Sequence, residues 1–425
     1  MRKLLEGVRV IECATLLNGD TVGMLLGDLG ADVIKVESLV GDYVRDAGDV
    51  IVPRHSPSHL EVNRNKRSLS LNLASAEGRE IFYQLLETAD VFVDGWVPGA
   101  CEKLGIGLED QRKVKPDIIY CQFTGFGAHG PYAPIPCHGQ MMTSVAGAFP
   151  RRVDDDGFVT AVEPRETPGA ETGGEATAVG ATHAALAVVS ALLRRMRDGE
   201  GCYIDVSGAD AVIASAHVAI TNQLNHHRLT NPSPPSGAGT TSGHNGARYQ
   251  FYQTRDKRFL LFCAIEKKFF NRFCVAAGRP DLVDDSQGNE VVWGAHEVQL
   301  RRDLQEVFAT RDLDEWITLA ATEQIPMAPA NDLGDLQGDP QLHDREIFYE
   351  GVHPYAGPYT SIGSPVVVDG QPFDVRLPAP IVGEHTQEVL GELGIPADRI
   401  DKLAADGVLN LGDPPPSYRE AGAGQ

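Results

Sequence analysis

Three closely spaced glycines are the first residues of the sequence that could bind a ligand. Gly125, Gly127 and Gly130 have the G-x-G-x-x-G spacing that binds dinucleotide phosphates, and they follow an apolar segment, 117–122, that we predict to be a strand. Phosphate binding by this motif needs a helix that begins at the glycines, so that its N-terminus meets the pyrophosphate. Pro131 and two further prolines follow instead, and they disfavour a helix there. We therefore predict a glycine-turned loop without a nicotinamide dinucleotide.

Histidines and cysteines do not indicate a metal site or a disulfide framework. His226, His227 and His244 lie in linker-like sequence without carboxylates at metal-ligand spacing, so we predict no metal site. The seven cysteines form no Cys-x-x-Cys pair, and several lie in apolar runs. We interpret them as reduced thiols in the core of a cytoplasmic protein.

Charge and hydropathy narrow the class of protein. The 425 residues carry a net charge of −22, whereas nucleic-acid binding depends on clustered lysine and arginine, so we predict no nucleic-acid partner. An anionic small ligand needs only a local group of cations and backbone amides, and it is compatible with this charge. No unbroken apolar run approaches the roughly 20 residues of a membrane span, and Glu6 precedes any apolar signal segment. We expect a cytoplasmic protein without membrane contact.

The spacing of strands and helices predicts a doubly wound α/β fold. Segments 8–13 and 31–37 have strand-like composition and flank 21–29, whose apolar residues have helical spacing. Such a β-α-β unit requires a parallel sheet. The unit ends in an acid, Glu37, as a ribose-binding unit does, but its first turn, 15–20, lacks the glycine triplet. We predict a Rossmann-like shape without the Rossmann cofactor.

Two changes in composition divide the rest of the chain. An acidic, glycine-rich stretch, 153–175, precedes a long apolar helix that we predict over 176–196. A second stretch, 231–240, is rich in proline, serine and glycine and is typical of a linker. The strands that we predict at 249–254 and 259–263, with the helices after them, indicate a smaller α+β unit.

Eight short segments carry a common signal along the chain. They lie at 8–12, 26–37, 65–73, 98–105, 124–131, 199–201, 204–207 and 383–386. Each segment is a weak signal alone, but in this order they resemble the family III CoA-transferases and α-methylacyl-CoA racemases, the superfamily of the CaiB and BaiF proteins. Because the resemblance runs over nearly the whole chain, the sequence is identified as a member.

The resemblance implies an architecture and a set of substrates. Members have a Rossmann-like large domain built from both chain ends, a smaller α+β domain, and two subunits interlocked as a homodimer. We accordingly expect residues 1–225 to begin the large domain, 226–335 to form the linker and small domain, and 336–425 to return to the large domain. Acyl-CoA and a small carboxylic acid are the implied partners, with coenzyme A as cosubstrate and no permanently bound cofactor.

The resemblance also implies a catalytic carboxylate. In transferases of the family, an aspartate after a glycine attacks the donor thioester, which gives a mixed anhydride and then an enzyme-CoA thioester. Gly173-Gly174-Glu175 occupies the similar place here, with glutamate instead of aspartate. Glu175 is therefore the candidate nucleophile. The alternative is that it only occupies the first turn of the following helix, where the helix dipole favours a carboxylate.

Two further residues keep a second activity open. His138 resembles the catalytic histidine of the racemases, although Gly139 replaces the aspartate that usually follows it, and Glu266 resembles a glutamate found in both groups. A histidine is suited to removing an α-proton beside a thioester. We predict a transferase with Glu175 as nucleophile and with His138 and Glu266 shaping the pocket. The alternatives are a racemase with His138 and Glu175 as its acid–base pair, and a CoA-binding protein without activity.

For coenzyme A, the resemblance points to the first β-α turn, to a basic segment and to a lysine near the nucleotide. Cations there suit a ligand with several negative charges. Leu17 stands where a formyl-CoA transferase has glutamine, which disfavours oxalate as acceptor, and Val97 stands where many relatives have arginine. The predicted CoA-binding residues are Thr15, Leu16, Asn65, Lys66, Arg67 and Lys103.

Overall fold

The chain folds into two compact units, each built from segments that are distant in sequence. The computed structural model describes residues 3–147, 151–161, 175–228, 246–288, 291–294 and 297–414. Of these, the residues within Met1–Ala148, Thr172–Ser215 and Gln341–Gln425 form the first unit, and those within Phe149–Glu171 and Ala216–Pro340 form the second. The predicted linker 231–240, His244, Gly173 and Gly174 lie outside the described residues.

Helices and strands alternate through the first half of the chain. In chain order the elements are β1 Arg9–Ala14, α1 Asn18–Asp28, β2 Asp32–Glu37, α2 Pro57–Val62, β3 Lys66–Leu71, α3 Ala76–Leu86, β4 Val91–Gly95, α4 Ala100–Leu104, α5 Leu108–Val114, β5 Ile119–Thr124, α6 Gly139–Val145, β6 Arg151–Val153, β7 Val159–Ala161, α7 Ala176–Asp198, β8 Cys202–Ser207 and α8 Gly208–Ser215. Strands β6 and β7 pair as a hairpin that belongs to the second unit.

The second half contains the rest of the second unit and the return to the first. The elements are α9 His217–Leu224, β9 Gln250–Gln253, β10 Phe259–Phe262, α10 Lys267–Ala276, α11 Val298–Phe308, α12 Leu313–Glu323, β11 Met327–Pro329, α13 Pro340–Asp344, β12 Phe348–His353, β13 Gly357–Ile362, α14 Thr386–Glu392, α15 Ala397–Ala405 and β14 Leu409–Asn410. Strands β9, β10 and β11 and helices α10, α11 and α12 of this stretch belong to the second unit.

The core of the first unit is a large, mainly parallel sheet. Among the described residues it has seven strands in the order β14-β3-β2-β1-β4-β5-β8, and only the edge strand β14 is antiparallel to its neighbour. Helices cover both faces of the sheet, so the inner strands β1, β2, β3, β4 and β5 are buried along nearly their whole length. Ile81 and Leu85 of α3 pack on one face, and Val22 of α1 and Val188 of α7 pack on the other. The prediction of an α/β fold with a parallel sheet is confirmed.

Helix α7 is the long apolar helix that the sequence predicts. By length and hydropathy it is the one described helix that could span a bilayer. It is not an unbroken apolar run, because Thr182, His183 and Ser190 interrupt it. Its Ala184 and Val188 are fully buried in the core beneath the sheet. Such burial is what a core helix requires, since its apolar face must be covered.

The loop after β5 and the end of β2 contain the two sequence patterns that resemble parts of nucleotide-binding motifs. Residues 125–138 contain no helix, and Gly127 and Gly130 adopt left-handed φ angles of 81° and 102°. The predicted glycine-turned loop is confirmed. Glu37 is buried and accepts hydrogen bonds from Arg45 and Ser68, both at 2.6 Å, so its carboxylate is occupied within the protein.

The second unit has its own aromatic core. Strands β9, β10 and β11 form an antiparallel sheet against α10, α11 and α12. Phe308 is central to this core, because it stacks on Tyr252 at 4.8 Å and on Phe273 at 5.1 Å between ring centroids. Trp316 is fully buried and its indole donates to the Phe308 carbonyl at 2.9 Å, so its one polar group is satisfied.

Candidate active site

A cavity of about 530 Å³ lies in the first unit, beside the turns that follow β1 and β4. From β1 the chain continues to β2 and β3 on one side of the sheet, whereas β4, β5 and β8 lie on the other side. The crevice is therefore at the point where the strand order reverses. Open α/β sheets bind their ligands at this point, outside the carboxyl ends of the strands.

Two glycines bring the turns at this crevice close together. A Cβ atom built on Gly19, in α1, would lie 2.4 Å from the Cβ of Ala14 and 3.1 Å from the Cα of Gly95, at the end of β4. A Cβ on Gly95 would lie 2.6 Å from the same Ala14 atom. Only glycine permits this approach of two backbones, so the narrow floor of the cavity depends on both positions.

The turn after β1 is held in a strained conformation. Leu16 lines the cavity with a φ of 61°, in the left-handed region that a branched residue rarely adopts. Its amide donates to the Asp42 carboxylate at 3.1 Å, and the Val44 amide donates to the same group at 2.9 Å. Asp42 thus positions two segments that line the cavity, the turn at Leu16 and the 3₁₀ turn Tyr43–Asp46. Strain of this kind is typical of ligand sites.

Glu175 lies at the cavity as the N-terminal cap of α7. Its Oε1 accepts from the Thr177 amide at 3.0 Å and its Oε2 from the Ala178 amide at 2.8 Å. The 23-residue helix directs its positive end at this carboxylate. The Thr177 hydroxyl also bonds the Asn18 side chain at 3.2 Å, which ties the start of α7 to the start of α1. The side chain is exposed, so it is accessible to a ligand in the cavity.

His138 lies beside Glu175 in the same cavity. It precedes α6, is exposed, and makes no capping hydrogen bond. A Cβ built on the adjacent Gly139 would lie 3.5 Å from Oε1 of Glu175. The structure therefore brings together four of the predicted site residues: Thr15 and Leu16 in the first turn, His138, and Glu175.

Asn65, Lys66 and Arg67 do not line this cavity, and their polar atoms are occupied within the protein. Lys66 is fully buried, and its ammonium donates to Glu12 at 2.9 Å. Arg67 donates to Asp32 at 2.9 Å and also bonds α14 carboxylates. The Asn65 amide bonds Asp28 at 2.8 Å and receives a backbone hydrogen bond from Arg376. These side chains brace the sheet against the chain's C-terminal segment.

Lys103 and Glu266 occupy other places. Lys103 is exposed on α4, the helix whose Ala100 lines the cavity and whose Leu104 lines a second one of about 460 Å³. Trp96 lines both cavities. Glu266 belongs to the second unit, where it precedes α10 without a side-chain capping bond and forms a β-bridge with Val291.

Sequence reasoning missed Tyr43, Trp96 and Asn18, which also line the cavity. Trp96 had a usable signal, because it is an aromatic residue that closely follows the apolar, strand-like run 91–93. Tyr43 gave none, since only tertiary contact brings it to the turn after β1. Burial and the neighbouring Asp42 carboxylate raise the pKa of Tyr43, so its hydroxyl stays protonated as a possible donor.

Behind the wall of the cavity lies a buried ion-pair network. Lys35 is fully buried and donates to Asp42 at 2.9 Å, to Glu12 at 3.3 Å and to Asp20. Burial alone would lower the pKa of Lys35, but these three carboxylates raise it well above its ordinary value. Lys35 is therefore a permanent cation committed to positioning Asp42, and through it the turn that carries Leu16.

Comparisons with known proteins agree on one family. The model of CoA-transferase family III matches residues 5–386. The succinyl-CoA:glutarate CoA-transferase of Mus musculus is 32% identical over 413 residues, which cover 96% of this chain and 90% of that protein. The formyl-CoA:oxalate CoA-transferase of Streptomyces avermitilis is 28% identical over 429 residues, covering 96% of this chain and 100% of that protein. A CAIB/BAIF family protein from Brucella suis has a crystal structure that superimposes with a TM-score of 0.72 at 28% identity, covering 92% of this chain and 100% of that one. The chain belongs to CoA-transferase family III.

Proposed function

We propose that this protein transfers CoA from an acyl-CoA thioester to a carboxylic acid, with Glu175 as the covalent nucleophile. The observation that supports this most is the position of the Glu175 carboxylate, exposed to a cavity at the switch point of the sheet and capped by two backbone amides. The relatives are named for reactions of this type. Two domains, interlocked subunits and a cytoplasmic location complete the proposal on the strength of the family resemblance.

The chemistry is a sequence of acyl exchanges in which each step breaks one bond and forms one. A Glu175 oxygen attacks the thioester carbonyl, the C–S bond breaks, and CoA leaves as a thiolate from a mixed anhydride. The thiolate then attacks the Glu175 carbonyl, which gives an enzyme-CoA thioester and releases the donor acid as a carboxylate. The acceptor carboxylate repeats these steps in reverse, and the cycle restores the Glu175 carboxylate without a net proton change.

The amides of Thr177 and Ala178 act at two stages of this cycle. They hold the carboxylate of Glu175 in the resting enzyme, at 3.0 and 2.8 Å. When the Glu175 carbonyl is attacked, negative charge builds up on one of its oxygens, and an amide already directed at that oxygen stabilises it without reorganisation. Gly139 leaves space beside Oε1, the oxygen nearest to it.

Coenzyme A would extend from Glu175 past the first β-α turn. Thr15 and Leu16 line the reaction cavity, and the second cavity across Trp96 has room for the nucleotide, with Lys103 exposed one residue before its lining Leu104. His138 would shape the acyl end of the pocket. We assign Asn65, Lys66 and Arg67 to positioning the sheet, because their polar atoms are already paired.

Replacement of the carboxylate tests the proposal. Glu175→Gln keeps the shape and an acceptor oxygen for the cap but removes the nucleophile, so turnover should fall at least about 1,000-fold. CoA affinity, measured by calorimetry, should stay within about threefold because the carboxylate does not anchor the nucleotide. Glu87→Gln, an exposed glutamate after α3, is the matched control and should keep full activity. Wild-type turnover in the Glu175 variant would end the nucleophile assignment.

A further inference from the structure

The side chain of Asn18 contacts the two helices that follow the candidate catalytic residues. Its Oδ1 accepts a hydrogen bond at 3.2 Å from the hydroxyl of Thr177, in the first turn of α7, which begins after Glu175. Its Nδ2 lies 4.0 Å from the sulfur of Met142, in α6, which begins after His138. A thioether sulfur can only accept, so this contact directs the amide nitrogen to α6 and the amide oxygen to α7.

Asn18 is also the first residue of α1, directly after the turn that follows β1. Thr15 and Leu16 of this turn line the reaction cavity, and we assign them to coenzyme A. The Thr177 amide in turn donates to the Glu175 carboxylate at 3.0 Å. The hydrogen bond between Asn18 and Thr177 therefore connects the turn assigned to the thioester with the helix that holds the nucleophile.

Apolar packing between α1 and α7 does not fix this connection by itself. Val22 of α1 belongs to the same core cluster as Ala181 and Ala184 of α7. Apolar contacts are non-directional, so they hold the two helices side by side but specify their axial positions poorly. A hydrogen bond is directional and forms only within a narrow range of distances. Because Thr177 is buried, water competes little for the bond that its hydroxyl makes.

We propose that Asn18 is a positioning residue for CoA transfer, which acts through Thr177 to set the position of the Glu175 carboxylate relative to the bound thioester. The inference rests on the transfer function proposed above. Reacting atoms must approach to about 3–3.5 Å, and a misplacement of about 1 Å can lower the rate about 100-fold. Loss of the bond should therefore slow the acylation of Glu175 and leave the affinity for coenzyme A nearly unchanged.

Removal of the Thr177 hydroxyl tests this role. Thr177→Val keeps the amide that caps Glu175 but removes the donor to Asn18, so kcat should fall at least about 10-fold. Affinity for coenzyme A, measured by calorimetry, should change less than about threefold. Thr177→Ser restores the hydroxyl and should recover most of the lost kcat. A wild-type kcat in Thr177→Val, or equal losses in the valine and serine variants, would overturn the proposal.

Thr182→Val is the matched control. It makes the same substitution in the same helix, at an exposed residue whose hydroxyl donates to the Ala178 carbonyl at 2.8 Å within α7. Full activity is expected, because this bond does not connect α7 to α1. A loss as large as that of Thr177→Val would show that any threonine hydroxyl in α7 affects kcat, and it would contradict a specific role for Asn18.

A double-mutant cycle tests the bond from the side of Asn18. Asn18→Ala should also reduce kcat, and its combination with Thr177→Val should cost no more than the larger single loss, because both changes remove the same bond. Additive losses, in variants that circular dichroism shows to be folded, would overturn the positioning role. Capture of acylated Glu175 by hydroxylamine separates the two claims. Capture in the wild-type protein with a wild-type kcat in Asn18→Ala would overturn this inference alone, whereas no capture in the wild-type protein would overturn the transfer function as well.

Discussion

At the scale of single residues, the site depends on what surrounds the Glu175 carboxylate. Asparagine, aspartate, serine and threonine are the usual helix caps, yet the longer glutamate reaches both the Thr177 and the Ala178 amides here. The carboxylate lies at hydrogen-bond distance from both amides although its side chain is one methylene longer. Gly139 provides the matching space, because its missing side chain would otherwise lie against Oε1.

Substitution of Gly139 tests this arrangement. Gly139→Asp adds a carboxylate whose Cβ lies 3.5 Å from Oε1 of Glu175, so like charges should reduce transfer by about 100-fold or more. Gly139→Ala adds only a methyl group at ordinary van der Waals distance and should keep activity within about fivefold. Steady-state kinetics with one acyl-CoA pair compares the two. Equal losses would show that bulk, and not charge, governs this position.

At the scale of elements, the cavity depends on two turns and on one buried lysine that helps to position them. Asp42 accepts from the Leu16 and Val44 amides and from the Lys35 ammonium, so one carboxylate joins β2, the strained turn and the 3₁₀ turn. The loss of one partner from a buried ion pair is costly because the other charge stays buried.

Asp42→Ala should therefore lower the free energy of unfolding by about 3 kcal/mol and raise the KM for acyl-CoA, since the turn at Leu16 loses its acceptor. Asp46→Ala is the control in the same 3₁₀ turn. Its ion pair with Arg54 is about half exposed, and the expected loss is below about 1 kcal/mol. Urea unfolding measures the free energy of unfolding of both variants. Equal losses would show that the buried ion pair of Asp42 does not stabilise the protein more than the exposed pair of Asp46.

The sequence predicts those elements whose signal is local. The apolar runs at 8–13 and 31–37 became β1 and β2 within one residue of their predicted ends, and the helix predicted over 176–196 is α7. Lys66 shows where such reasoning stops. The family resemblance pointed to this lysine for coenzyme A, but its partner Glu12 is 54 residues away, and only the arrangement of strands in the sheet places the two together. The cavity wall at Tyr43 could not be predicted for the same reason.

At the scale of the whole molecule, the first unit contains a buried cluster of uncharged histidines. His55 packs between His59 and His353, with ring centroids 5.9 and 5.0 Å away. Burial lowers the pKa of all three, and the charge of Arg45 lowers the pKa of His59 further. The three rings come from segments near both chain ends, so their burial requires the C-terminal segment to pack against the N-terminal one.

This cluster predicts a loss of stability in mild acid. Below the ordinary histidine pKa of about 6.5, these side chains are protonated in the unfolded chain but stay neutral in the folded protein. The free energy of unfolding therefore decreases as the pH falls from about 7 to 5. Each histidine contributes a slope of up to about 1.4 kcal/mol per pH unit. The raised pKa of Asp94, caused mainly by burial, acts in the opposite direction. His59→Gln should have a shallower slope in urea unfolding across this range, and an identical slope would contradict the prediction.

The central claim is that the Glu175 carboxylate becomes covalently acylated. The most direct measurement is peptide mass spectrometry after incubation with a mixed acyl-CoA pool, with hydroxylamine added to capture activated carboxyl groups. The account predicts a hydroxamate on the peptide that contains Glu175 and none in the Glu175→Gln variant. An unmodified Glu175 peptide in protein that still binds CoA would contradict it, and α-proton exchange in deuterated water would then favour a racemase that uses His138.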